Sequence, residues 1–92
     1  METIALSKPI KFEDQEYTEL KLDLDGLTGN DMVNAAKESK FLGDTSTVPE
    51  LSKTYLAVIA AKAASVPVDM ILALPGRDFS KITVLVQNFL FE

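Results

Sequence analysis

The spacing of apolar residues changes once along this chain of 92 residues, and the change limits the folds open to it. Up to Leu24, apolar and polar residues alternate, as they do in strands with one buried face. Beyond Gly26 the apolar residues recur every three or four positions, which is the period of an amphipathic helix. The sequence therefore predicts an α+β fold in which an N-terminal β-hairpin packs against three or four α-helices. We expect one domain over residues 1–92, with the hairpin in 1–25 and the helices in 28–92.

Two runs of alternating residues predict the strands of the hairpin. Their apolar positions are Ile4, Leu6, Ile10 and Phe12, then Leu20, Leu22 and Leu24. A two-residue loop at positions 14 and 15 would turn Leu20 and Leu22 away from the buried face, because a shift of one residue exchanges the two faces of a strand. We therefore predict a bulge near Thr18 or a longer loop.

Capping residues and prolines mark the first, third and fourth helices. Thr28 and Asp31 have the spacing of a capping box, which begins a first helix that runs to about Leu42 and stops at Gly43. Proline suits the first turn of a helix and disfavours helix in the residue before it. Pro67 is therefore predicted to open a short third helix, PVDMILAL, and a fourth runs from about Pro75 to Leu90.

The second helix is predicted from Pro49 to about Ser65, with Thr47 as its N-cap and Glu50 at the third position. It is rich in alanine, which is the best helix former. An alternative is that the small side chains let another helix approach closely. Helix propensity is the preferred interpretation of the two.

The predicted last helix is amphipathic, with two exceptions. Its apolar arc consists of Phe79, Ile82, Leu85, Val86, Phe89 and Leu90. Val84 and Phe91 fall together on the polar side, one heptad apart, where a monomer has no use for them. They are candidates for a partner surface, against the alternative that fraying at the terminus folds Phe91 back. Together with the unpaired edges of a two-stranded hairpin, they predict a homo-oligomer.

The composition excludes most catalytic chemistry. The chain has no Cys and no His, which removes disulfides, thiolate nucleophiles, imidazole bases and the usual zinc ligands. Asp23, Asp25 and Asp31 surround Gly26, but their spacing does not match a calcium-binding EF-hand loop. We expect no catalytic residue, no metal and no cofactor, and hence no enzyme.

Charge and apolar run length restrict the partners. A net charge of −5 disfavours nucleic acid, whose binding depends on clustered Lys and Arg. No segment reaches the roughly 20 apolar residues that a membrane span needs, and the first residues lack the pattern of a signal peptide. These features predict a cytoplasmic protein whose partners are other proteins, without nucleic acid or membrane.

Segments spread over nearly the whole chain resemble the tail assembly chaperone family of tailed phages. In chain order they read LSKPIKF and QEYTELKLDL in the hairpin, LTGNDM at the first helix, YLAVIAAKAASVPVDMILAL in the middle and LPGRDFSKITVLVQNFL at the end. The closing pattern is the most specific part, with Leu74, then Asp78 and Phe79, then Val86, Phe89 and Leu90.

This resemblance implies a non-structural, non-catalytic protein of phage or prophage virion morphogenesis in the cytoplasm of the host bacterium. Such a chaperone binds the tape measure protein and keeps it soluble until tail tube subunits polymerise around it. In many relatives a programmed frameshift makes a longer product that recruits the tail tube protein. The candidates for binding hydrophobic stretches of the tape measure protein, several of which must also be core, are Tyr55, Ile59, Phe79, Val84, Val86, Phe89 and Phe91.

The alternative function is a small acidic adaptor or regulatory module, in one form a helical DNA-binding module. A recognition helix needs Arg, Lys, Asn or Gln on one exposed face. The last helix offers mainly Lys81, Gln87 and Asn88. Retardation of DNA at low salt would distinguish this alternative from a chaperone.

Overall fold

The computed structural model describes residues 1–45 and 52–92, and within them it confirms the predicted α+β architecture. An antiparallel hairpin packs against helices that follow it in the chain. The elements are β1 (Glu2–Phe12), β2 (Gln15–Leu22), α1 (Gly29–Phe41), α2 (Lys53–Ala64), α3 (Val68–Leu72) and α4 (Gly76–Leu90). No helix in the described ranges is long and apolar enough to cross a membrane.

The two strands of the hairpin are joined by a turn of only two residues, Glu13 and Asp14. Glu13 and Asp14 adopt φ values of +49° and +64°, so both central residues of the turn are left-handed, and Phe12 pairs directly with Gln15. This is the two-residue turn that matches the twist of paired strands, and it usually contains Asn-Gly or Asp-Gly. The prediction of a longer loop is therefore wrong.

An irregularity in β1 restores the buried face of β2. Between the pairs Ile10–Tyr17 and Ala5–Glu19, β1 advances five positions while β2 advances two. The predicted bulge near Thr18 thus exists opposite that residue, but the extra residues belong to β1. As a result Leu20 and Leu22 both face the core.

Helix α1 begins and ends where its capping residues predict. The Asp31 amide donates to Thr28 Oγ1 at 3.2 Å, and the Thr28 amide donates to Asp31 Oδ2 at 2.8 Å, which completes the capping box. Gly43, just beyond the helix, has φ +101°, a conformation that favours glycine.

Helix α2 begins later than predicted, at Lys53 rather than Pro49. Ser52 is its N-cap, with extended backbone angles (φ −86°, ψ 126°) and a hydroxyl that accepts from the Tyr55 amide at 3.3 Å. The prediction that the helix runs through Ser52 is therefore wrong. The predicted signal at Thr47, Pro49 and Glu50 lies outside the described residues.

Helix α2 lies at the centre of the core. Every side chain from Tyr55 to Ala61 is buried, and the helix packs against α1, α3, α4 and β2. Ala57 and Ala60 have no exposed surface, so their small size is what allows neighbouring elements to approach from several sides. Close approach, which ranked below helix propensity in the sequence interpretation, explains these alanines.

The two prolines mark the starts of their helices, but each lies one position before the helix and not in its first turn. Pro67 and Pro75 are the N-caps of α3 and α4, with ψ values of 147° and 146°.

A backbone hydrogen bond joins the hairpin to the central helix. At the C-terminal end of α2, the Ala63 carbonyl accepts from the Asp23 amide, just after β2, at 3.0 Å.

Candidate functional site

Helix α4 turns one face to the core and one to solvent. Ile82 and Val86 have no exposed surface. The flanking side chains of the inner face are half-buried, and they are Phe79, Leu85, Phe89 and Leu90. The helical wheel derived from the sequence is therefore confirmed for this element.

Two hydrogen-bond systems hold α4 in place. Asp78, in its first turn, is fully buried, and its carboxylate accepts from the Ser7 amide at 3.0 and 3.2 Å and from the Ser7 hydroxyl at 2.9 Å. Further along, the Lys53 ammonium donates to Thr83 Oγ1 at 3.1 Å. The first system joins α4 to the irregular part of β1, and the second joins it to the start of α2.

Val84 and Phe91 lie on the outer face of α4, as the wheel predicts. Val84 is 49% exposed and Phe91 is 60% exposed, although each is a large apolar side chain. Phe91 does not fold back onto the protein, so the alternative interpretation of Phe91 is wrong.

An open depression of about 700 Å³ lies between this outer face and strand β1. Its floor is apolar and its rim carries two cations, Arg77 and Lys81, with no carboxylate. The lining residues are Ile4, Arg77, Ser80, Lys81, Val84, Leu85 and Asn88.

A second depression, of about 200 Å³, lies toward the C-terminal end of α4 and has the opposite charge. Its lining includes Glu2, Asp25 and Glu92 and no lysine or arginine, with the α-amino group of Met1 beside them. Leu85 and Asn88 line both depressions, so the two adjoin along the same helix. The outer side of α4 thus passes from a basic end to an acidic end.

The predicted contact residues divide into three classes of exposure. Tyr55, Ile59 and Val86 are buried, as was expected of several candidates, and they lie behind the surface. Phe79 and Phe89 are half-buried at its edges. Of the seven candidates, only Val84 and Phe91 are exposed, and the structure brings these two to the same face of α4.

Sequence reasoning missed other exposed apolar residues. Phe41 is 90% exposed at the end of α1, and Val33 and Leu72 are 55% and 48% exposed. A helical wheel drawn for α1 would have placed Val33 and Phe41 outside the core. Sequence reasoning also missed that Arg77 and Lys81 line the same depression, since these residues become neighbours only once the helix forms.

Away from α4, the described residues include acidic groups and a polar depression. Among residues 1–45 and 52–92, no group of three His, Cys, Asp or Glu residues is placed to hold a metal ion. A polar depression of about 370 Å³ elsewhere on the surface contains Asp23, Asp31 and Lys62. Lys62 is half-buried there, and its positive charge helps to lower the pKa of Asp31.

Comparison with known proteins identifies a family for almost the entire chain. Residues 3–90 match the family model described as "Phage tail assembly chaperone proteins, E, or 41 or 14". The match takes in all the helices given above and the hairpin apart from its first residue, Glu2. No curated protein and no solved structure matches the chain.

Proposed function

The chain belongs to the family of phage tail assembly chaperone proteins, and we propose that it binds the tape measure protein through the outer face of α4. In this role it holds the client soluble until tail tube subunits polymerise around it, and it does so without catalysis. The host bacterial cytoplasm is the place of action. The observation that carries the proposal is the exposure of Val84 and Phe91 on an otherwise amphipathic helix.

Burial narrows the contact surface to part of the candidate set. Val84 and Phe91 reach a client directly, while Phe79 and Phe89 supply half-buried ring edges beside them. The buried candidates Tyr55, Ile59 and Val86 support this surface from behind. An apolar strip on a rigid helix suits a client helix with its own apolar stripe, which is how grooves bind amphipathic helices.

Rigidity of the surface supports the same role. Because Asp78 ties the start of α4 to β1 and Thr83 ties its middle to Lys53, the helix presents its outer face without rearrangement. A preformed surface loses less conformational freedom on binding than a flexible one. A longer frameshifted product that carries the tail tube protein to the same client would extend this proposal.

Changing Val84 and Phe91 to Ser tests the proposal. Co-expression with the tape measure protein should give a soluble complex for the wild type and much less for the double variant. Both substitutions are at exposed positions, so stability should change by about 0.5 kcal/mol or less at each. Thermal melts measured in parallel verify that the fold is kept.

The matched control changes Val33 and Leu72 to Ser. These side chains have similar exposure to Val84 and Phe91 but lie on α1 and α3. The control should keep the client soluble. Equal solubility for both double variants would show that the contact surface is wrong, and failure of the wild type to solubilise the client would remove the chaperone role itself.

A further inference from the structure

Five exposed residues along α4 and its C-cap have the spacing of a helix-packing seam. Arg77, Lys81, Val84, Asn88 and Phe91 are separated by four, three, four and three positions. Alternating steps of three and four are the a and d spacing by which one helix packs lengthwise on another. We call these five residues the α4 seam. All of them are exposed, and Val84 lies at the middle.

The α4 seam has opposite charges at its two ends. Arg77 and Lys81 occupy the N-terminal half. Glu92 follows the C-terminal end, and Glu2 and Asp25 join it around the depression that Asn88 also lines. A helix of 15 residues is about 22 Å long, so the two groups of charge are well separated along it.

We propose that a second copy of this chain packs antiparallel on the α4 seam, about a two-fold axis at Val84. Arg77 lies seven residues before Val84 and Glu92 lies eight residues after it, so reversal of the second helix sets Arg77 of each copy beside Glu92 of the other. The two Val84 side chains meet at the axis. Each copy also places its Phe91 ring near the other's guanidinium, an arrangement that favours cation–π contact.

Charge order selects both the occupant and its direction. A parallel copy would set Arg77 and Lys81 of each chain against the same two cations of the other, and Glu92 against Glu92. An antiparallel copy pairs every end with its opposite, which is the self-complementary pattern of a two-fold interface. The chain itself supplies both halves of this match, and the contact does not require the proposed client.

The test measures molar mass against concentration for purified protein, from about 1 μM to 1 mM, by sedimentation or light scattering. The wild type should pass from monomer to dimer within this range, because one helix seam makes a small contact. Arg77→Glu and Glu92→Lys each turn two attractive pairs into repulsive ones. We expect each to raise the dimer Kd by about tenfold.

Mixing the two variants decides the geometry. In an Arg77→Glu/Glu92→Lys heterodimer both end contacts are again opposite in charge, so an equimolar mixture should regain the wild-type Kd although neither variant does alone. Loss of fold cannot explain the single-variant effect, because Glu near a helix N-terminus and Lys near its C-terminus both suit the helix dipole. A wild type that stays monomeric throughout, or a mixture that gains nothing, overturns the proposal.

A second pair of variants places the axis. Val84→Asp would bring two like charges together at the axis and should raise the dimer Kd by at least about tenfold. Val33→Asp makes the same change on α1, at 55% exposure, and should leave the Kd unchanged. Dimers that persist in Val84→Asp, or are lost equally in Val33→Asp, show that the copies meet elsewhere.

Discussion

At the scale of single residues, the hydrogen bonds of Asp31 at the start of α1 change the pKa of its carboxyl group. The Thr28 amide, by donating to its carboxylate, holds the pKa of Asp31 below the ordinary value of 3.8. Partial burial opposes this, while the Thr28 hydroxyl and the positive charge of Lys62 add to it. The ionised carboxylate also lies in the first turn of α1, where negative charge suits the helix dipole.

Acid titration tests the role of Asp31. Its pKa is lower folded than unfolded, so its contribution to stability is complete above the unfolded pKa, near 3.8, and is lost as the pH falls through the folded pKa. Asp31→Asn should therefore be less stable than the wild type at pH 6, and the difference should shrink below about pH 4. Urea midpoints at several pH values measure this. Glu38→Gln, which removes one charge elsewhere on α1, is the control, and an equal trend in both variants would contradict the role assigned to Asp31.

At the scale of elements, the position of α4 depends on a contact between residues 71 positions apart. Ser7 lies in the irregular part of β1, where the ladder to β2 is interrupted and backbone groups need other partners. The carboxylate of Asp78 supplies one by accepting the Ser7 amide and hydroxyl together. The irregularity in the strand and the buried acid in the helix are therefore two halves of one contact.

Removal of the contact between Ser7 and Asp78 should lower the free energy of unfolding, and the loss should be larger when a buried polar group is left without a partner. Asp78→Ala leaves the Ser7 amide without its acceptor and should lower the free energy of unfolding by roughly 2–4 kcal/mol. Ser7→Ala removes only the hydroxyl bond and should cost about 1 kcal/mol. Chemical denaturation measures both, and Ser80→Ala, an exposed change on α4, is the control. In Asp78→Ala, the Ser7 amide should also exchange its hydrogen faster. Unchanged exchange would contradict the hydrogen bond between the Ser7 amide and the Asp78 carboxylate.

The elements also show how far local sequence reasoning extends. The apolar periods placed both strands, and Thr28, Gly43, Pro67 and Pro75 placed helix ends, because caps and prolines act on their nearest neighbours. The turn at Glu13 was missed because it lacks the usual Asn-Gly or Asp-Gly pair. Contacts between distant segments, such as that of Asp78, leave no periodic signal at all.

Alanine explains why the central helix was the least predictable element. A helix that is buried on all sides has no polar face, so the contrast between faces on which a wheel depends is weak in α2. Alanine suits both an exposed helix and a close contact, and its presence at Ala57 and Ala60 did not indicate which applied. Of the candidate site, Val84 and Phe91 were predictable because they are large apolar residues on a face that is otherwise polar.

At the scale of the whole molecule, the hairpin and the helices share one apolar cluster around α2, and α4 closes that cluster with its inner face. Its outer face then remains for partners. The proposed client and the proposed second copy both use Val84 and Phe91. Under the two proposals together, a second copy covers Val84 and Phe91 until a client replaces it.

Competition between client and copy follows from this shared surface. When only a fraction of chains is free to bind, the apparent Kd rises by the inverse of that fraction. At a concentration where nine-tenths of wild-type chains are dimeric, a tenfold higher dimer Kd leaves about 28% of the variant chains monomeric. A soluble tape measure segment should therefore bind the wild type about threefold more weakly than Arg77→Glu or Glu92→Lys. Isothermal titration at fixed chaperone concentration measures this, and the equimolar mixture of the two variants should return to the weaker value. Glu92→Lys is the more informative variant because it leaves Arg77 and Lys81 beside the larger depression unchanged. Equal affinity of the wild type and both variants, with the dimer intact in the client complex, would mean that client and copy bind different faces of the molecule.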